Sequence, residues 1–393
     1  VDGPGGRRLQ GVEPRLDLEP VSAPSRFERW FLPGFAFKAV VIGGGYATGR
    51  ELAEFFLPSG PLGGVLGMVL AMLAFSLIST VTFLFARAVA AYDYGAFFRS
   101  LLGPAAPLFD LAFVALLVIV LSVFGAAAGE IGRALFGWPT LAGTLALVAG
   151  IALVVTFGNR SVESLFKWVT YFLYLVYAVF VVLVVSHAAD RIGTAFGATA
   201  PTGAWAMGGL TYAGYNAFAA VAILPVLRHL TGPRDAVIAG LLCGPLGMLP
   251  ALLFFVCMTA WYPEIAAATL PSDFVLTRID APAFHVVFQL MIFAALLESG
   301  TGSVHALNQR IAGVLAPRSV TLTPAARLSI AAGTLVLAVF VANRVGLVAL
   351  IASGYRFLAW LFIGVYVIPV MTLGLWRVLA GRAAATVPEG VSG

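Results

Sequence analysis

Apolar stretches of about twenty residues or more recur along the whole of this 393-residue chain, and they set the solvent in which it folds. Such a stretch, wound as a helix, is long enough to cross the hydrocarbon core of a bilayer. Only 10% of the residues are charged, against about 25% in a soluble domain, and 61% are hydrophobic. A soluble fold of this length cannot bury that much apolar surface. The expected class is therefore an all-α polytopic membrane protein.

Hydropathy places ten spans near 31–57, 62–86, 106–131, 139–157, 163–187, 204–228, 235–260, 284–312, 326–342 and 346–376. Residues 1–30 are polar and rich in Pro and Gly, with no short apolar core of the signal-peptide kind. They are expected to form a disordered cytoplasmic tail, and 377–393 a second tail. The termini and alternate loops carry seventeen Lys and Arg, from Arg7 to Arg382. The other loops carry only Arg133, Arg191, Arg278 and Arg344. This asymmetry puts both termini on the cytoplasmic side of a bacterial inner membrane, and it accounts for the net charge of +5 without invoking nucleic acid. Cys243 and Cys257 fall in one apolar helix and read as small hydrophobes, and no metal-ligand spacing is present.

Two spans are interrupted by glycines and polar residues: Gly43-Gly44-Gly45-Tyr46-Ala47-Thr48-Gly49 in the first, and Gly208-Gly209-Leu210-Thr211-Tyr212-Ala213-Gly214-Tyr215-Asn216 in the sixth. They fall at matching positions in two halves of five helices, 31–190 and 191–376. Five is odd, so the halves enter the membrane from opposite sides. Matched interruptions in inverted halves point to a central transport site. Broken helices offer N–H groups that suit a substrate carboxylate and carbonyls that suit a cation or an ammonium group. The expected substrate walls are Gly43, Gly44, Gly45, Ala47 and Thr48 on one side, and Gly209, Thr211, Tyr212, Gly214, Tyr215 and Asn216 on the other. Close packing through small residues is the rival reading of any one glycine.

Charged residues within spans are costly and so are functional candidates. Glu298 lies mid-span in Leu297-Glu298-Ser299-Gly300-Thr301-Gly302-Ser303. It could carry a proton, or as a carboxylate help Thr301 and Ser303 hold a cation. Glu51 and Arg356 are candidates for a gate or vestibule, with Glu54 nearer the surface. His305, seven residues after Glu298, shares its face and reads as structural rather than as a relay.

The stretches Gly43 to Glu51 with Phe55-Phe56, Thr211 to Asn216 with Pro225, and Glu298 to Asn308 together resemble the amino acid–polyamine–organocation superfamily. Within it, they look most like the YkvI-type bacterial membrane proteins. The resemblance spans about residues 31–376. It implies the five-plus-five inverted repeat called the LeuT fold, alternating access, and a site between the first, third, sixth and eighth helices. It also implies that a coupling Na+ would fall on Gly43, Thr301 and Ser303, while the acid at Glu298 leaves H+ coupling open. The expected function is secondary transport of a small organic solute, an amino acid or related zwitterion or anion, coupled to Na+ or H+. The alternative is a membrane sensor that binds such a solute without moving it. A channel fits less well, because two matched interruptions favour an occluded site. No catalytic motif of an enzyme appears, and the expected partners are the solute and the lipid bilayer.

Overall fold

The computed structural model describes residues 24–157, 160–197, 203–315 and 323–381. Most of the tail 1–30, and the chain beyond 381, lie outside them. Among the described residues every regular element is helical. Seven helices are each long and apolar enough to cross a membrane, and a shorter apolar one, Thr140–Thr156, adds an eighth. The first and sixth spans complete ten. Each is divided into pieces too short to register as a crossing on its own.

The first span enters as a π-helical turn, Phe27–Phe31, and continues as Leu32–Val41. Residues 27–30 are thus helical, and the expected tail 1–30 ends earlier than its composition implied. Trp30 Nε1 donates to Asp235 Oδ1 at 2.7 Å and so ties this entry turn to the seventh span. The chain then unwinds at Ile42 and Gly43, and Gly43 is fully extended. One helical turn follows, Gly44–Ala47, and then the second half, Arg50–Phe55. Gly49 joins these two pieces at φ +78°, a conformation that favours glycine.

The remaining spans are, in order, Gly60–Ala88, Pro107–Phe136, Thr140–Phe157, Arg160–Gly197, the divided sixth, Pro233–Thr259, Pro282–Leu315, Pro324–Val345 and Leu347–Leu379. Proline near the first position starts many of them, because its missing N–H would have had no intrahelical partner there. The fifth span bends at Ala188. A short helix, Tyr94–Leu102, joins the second span to the third and is capped by Asp93, which accepts from the Ala96 N–H at 2.8 Å. Another, Pro271–Arg278, lies between the seventh and eighth.

The sixth span corrects an expectation. Its glycine cluster lies inside a continuous helix, Trp205–Asn216, and the dislocation comes after it, at Ala217, before Phe218–Ala222. Gly208 and Gly209 serve close packing: a methyl group at either would collide with the Phe55 or Gly67 carbonyl oxygen. In this span the small-residue reading of the cluster is the one the packing follows.

Helix contacts divide the spans into two sets. The first, second, sixth and seventh pack on one another, the second–seventh contact being the most extensive. The third, fourth, eighth and ninth form the other set. The contacts recur in inverted pairs. The first span packs on the seventh as the sixth does on the second, and the third packs on the ninth as the eighth does on the fourth. Leu73, Leu77, Leu111, Leu153, Leu175, Val336 and Phe340 stand exposed on outward faces, as lipid-facing side chains should.

Glycines set the second–seventh contact. A side chain at Gly240 would overlap Thr80, and one at Gly244 would overlap the Met72 carbonyl and Ser76. Ser76 Oγ donates across the same interface to the Leu241 carbonyl at 2.8 Å. Gly244→Leu is expected to destabilise the fold by about 1–3 kcal/mol or more, as overpacking does. Gly333→Ala, in open space on the ninth span, should be neutral or stabilising by about 0.5–1 kcal/mol. Melting of the detergent-solubilised variants by intrinsic fluorescence checks both signs.

Candidate functional site

The two interruptions meet beside a cavity of about 750 Å³. Its wall comes from the first span (Ala39 to Gly43, and Glu51), the third (Phe113 to Phe124), and the sixth (Tyr215 to Ala222). The fifth adds Leu173 and Tyr174, the eighth adds Glu298, Ser299, Gly302 and Ser303, and the tenth adds Tyr355. The cavity runs from Glu51, Tyr215 and Tyr355 to Asp93, Tyr94, Gln309 and Arg310, at the end of the molecule that carries the second–third connection.

Of the residues expected from sequence, Gly43, Glu51, Tyr215, Asn216, Glu298 and Ser303 share this wall. Ala47, Thr48, Gly209, Thr211, Tyr212, Gly214, Thr301 and Arg356 are not part of it. Tyr212 is fully buried among Phe55, Phe56, Phe75 and Tyr215. Gly214 faces Ile363 and Ala359 of the tenth span. Thr301 gives its hydroxyl to the Leu297 carbonyl at 2.7 Å, and Ser303 does the same toward Ser299 at 2.8 Å. Of the trio Gly43, Thr301 and Ser303, two therefore face the cavity and one does not.

Glu51 stands in the first turn of Arg50–Phe55, 4% exposed, and accepts a hydrogen bond from the Tyr215 hydroxyl. A carboxylate there complements the positive end of the half-helix. The place a substrate carboxylate was expected to take thus already holds one from the chain. Glu298 makes no hydrogen bond or ion pair among the described residues and projects at the cavity. Tyr215 packs at 4.6 Å, centroid to centroid, against Tyr355, which ends a π-helical segment of the tenth span.

Beyond Glu51 the path is closed. Arg50, 6% exposed, donates through Nη1 to the carbonyls of Ala266 (3.0 Å) and Ala268 (2.9 Å), and through Nη2 to Glu54 at 2.7 Å. The Ser272 N–H donates to the Thr48 carbonyl at 3.1 Å. The seventh–eighth connection is thereby fastened over the first break. Arg356 is largely exposed and 3.9 Å from Glu54, at the edge of this closure rather than in the cavity. At the open end Arg310 donates to Asp110 at 2.9 Å and lies over the Tyr94 ring at 4.4 Å. Gln309 pairs with the exposed His305 at 2.8 Å. Lys38 is buried, its ammonium 4.0 Å from the centre of the Tyr174 ring.

Sequence reasoning missed Arg50 as the fastener, although its place inside an apolar segment flagged it. Nothing in the sequence distinguished Tyr355 from the other aromatics.

No family model matches the chain. It is 23% identical over 289 residues to the uncharacterized membrane protein YkvI of Bacillus subtilis (strain 168), a match covering 72% of this chain and 82% of that one. Among solved structures it is similar to a manganese transporter of Eremococcus coleocola (TM-score 0.55, 16% identity, 91% and 84% of the two chains). It is also similar to Mhp1, a nucleobase-cation-symport-1 family transporter (TM-score 0.55, 16% identity, 92% and 82%). A third likeness is to a Na+-coupled sialic acid symporter (TM-score 0.51, 12% identity, 87% of each chain). The fold is the five-plus-five inverted repeat. The matches cover nearly the whole described chain, so the fold expected from 31–376 stands as a whole.

Arg50→Gln should release the two carbonyls and loosen the closure over Thr48. A cysteine placed at Ser272, which is fully buried, should then react faster with a membrane-impermeant thiol reagent in intact cells than it does with Arg50 present. The native Cys243 and Cys257 are buried and should stay silent.

Proposed function

We propose that this chain is a secondary transporter that moves a small amine-bearing organic solute, an amino acid or related molecule, by alternating access. The observation that carries the reading is a cavity at mid-span, open along one path and closed along the other by Arg50 and the seventh–eighth connection. A central site between two sets of helices, open to one side and closed to the other, is what alternating access requires. The likeness to three proteins named as transporters supports it.

In this reading the first, second, sixth and seventh spans rock against the third, fourth, eighth and ninth. Residues 31–190 and 191–376 are the two inverted repeats. The Trp30–Asp235 bond makes the first half-helix travel with the seventh span. The positive-inside pattern makes the open end cytoplasmic, so this conformation faces inward across a bacterial inner membrane.

The cavity wall carries Glu51, Asp93 and Glu298 against one guanidinium, Arg310, which Asp110 already engages. A cavity of that balance concentrates cations and disfavours free anions. Tyr174, Tyr215, Tyr355, Phe124 and Phe218 add ring faces that attract an ammonium group. The amine end of the solute is therefore assigned to Glu298 and the aromatic wall. Na+ or H+ supplies the coupling, through linkage between ion and solute binding to the same states.

Uptake into proteoliposomes tests this. Amino acids and their decarboxylated amines should enter saturably, and carboxylic acids lacking an amine should not compete. Glu298→Gln should raise KM roughly 10- to 100-fold, the loss of one charge-assisted bond of about 1.5–3 kcal/mol. Saturable binding with no accumulation in sealed vesicles would instead favour the sensor. Competition by simple acids alone would reverse the charge assignment.

A further inference from the structure

We propose that a monovalent cation binds beside Glu51 in a second, buried site, walled by the hydroxyls of Tyr46, Tyr177 and Tyr212 and separate from the solute cavity. These tyrosines come from three elements: the isolated turn of the first span, the fifth span and the sixth. Tyr46 and Tyr212 are fully buried and Tyr177 nearly so, and among the described residues none of the three hydroxyls has a hydrogen-bond partner. The Tyr46 and Tyr177 rings stack at 6.2 Å. Tyr212 packs edge-on at 5.5 Å against Tyr215, the residue that donates to Glu51. The Glu51 carboxylate lies within electrostatic reach of all three hydroxyls.

Two deficits meet here. Buried hydroxyls are almost always bonded, and leaving one unsatisfied costs about 1–3 kcal/mol. A buried carboxylate also needs a counter-charge. Among the described residues Glu51 has none: its neighbour Arg50 is committed to Glu54 and the Ala266 and Ala268 carbonyls, and the donor it meets there is a neutral phenol. Water would satisfy the hydroxyls but not the charge. A proton on Glu51 would remove the charge but not satisfy three hydroxyls. A small alkali cation neutralises the charge and takes up lone pairs of the hydroxyl oxygens, because phenolic and carboxylate oxygens are hard ligands for it. A divalent ion would leave net positive charge buried. The site lies on the closed side of the cavity, with Glu51 shared between the two. It differs from the Gly43, Thr301 and Ser303 set, which needs neither the fifth span nor any of these tyrosines.

The test is melting of the full chain in detergent at fixed ionic strength, with caesium chloride replaced stepwise by sodium, lithium or potassium chloride. A cation bound only by the folded protein raises Tm with its concentration and then saturates. The expected result is such a rise with at least one of the smaller ions, absent in Glu51→Gln. Tyr46→Phe, Tyr177→Phe and Tyr212→Phe should each shift half-saturation upward by about tenfold. These three remove an unpartnered hydroxyl and so should fold even where Glu51→Gln does not. Tyr366→Phe, which removes a hydroxyl bonded to Thr82 elsewhere in the core, should leave half-saturation unchanged. Equal melting in all four salts, or a response to pH alone, would overturn the proposal. So would a salt response that survives all four substitutions near Glu51. The readout is binding in detergent, so a failure to observe transport would not bear on it.

Discussion

The interruption of the first span is the constraint around which the rest of the molecule is arranged. In hydrocarbon a helix can be broken only where other protein groups or a wet cavity take up the freed backbone. Here the Thr48 carbonyl accepts from the Ser272 N–H, and the Arg50 N–H donates to Thr48 Oγ1 at 3.2 Å. The Ile42–Gly43 segment opens onto the cavity. The short helix Pro271–Arg278 and the close second–seventh packing thus stand in one causal line with the break. The first supplies a donor to the break. The second holds the wall against which the sixth span approaches Phe55, at the end of the second half-helix, and Gly67 closely enough to need glycine at 208 and 209.

The break also decides where charge can survive inside the fold. Glu51 sits at the positive end of a half-helix and opposite the Tyr215 hydroxyl. Arg50, one residue earlier, turns the other way and ties the first span to the seventh–eighth connection. Adjacent residues of opposite charge thus do different work, one lining the cavity and one fastening its closed end. The asymmetry of the two breaks follows from the same packing. The first is unwound over Ile42 and Gly43. The sixth is only dislocated at Ala217, because its glycines are spent on contacts with the first, second and tenth spans rather than on unwinding.

The sequence carried the architecture well. Apolar length gave ten spans, and the odd number per half gave the inversion. The clusters at 43–49 and 208–216 named the two divided helices. It carried the site unevenly. Glu298, Tyr215 and Asn216 were legible because a polar side chain in an apolar span must have a reason to be there. Tyr212 met the same criterion and is buried in an aromatic cluster, since a tyrosine can spend its ring on packing. Arg356, expected at a gate or vestibule, lies at the exposed edge of the closure, 3.9 Å from Glu54.

By itself, then, the sequence determined the solvent, the number and pairing of the spans, and which residues were costly enough to matter. Those follow from transfer energies and helix length, which are local quantities. Tertiary structure alone decided which polar residues share a cavity, that Arg50 fastens a distant connection, and that the Tyr215 hydroxyl donates to Glu51. Those depend on which helix faces touch, and residues as far apart in the chain as Glu51 and Tyr215 are brought together by packing rather than by any pattern of spacing.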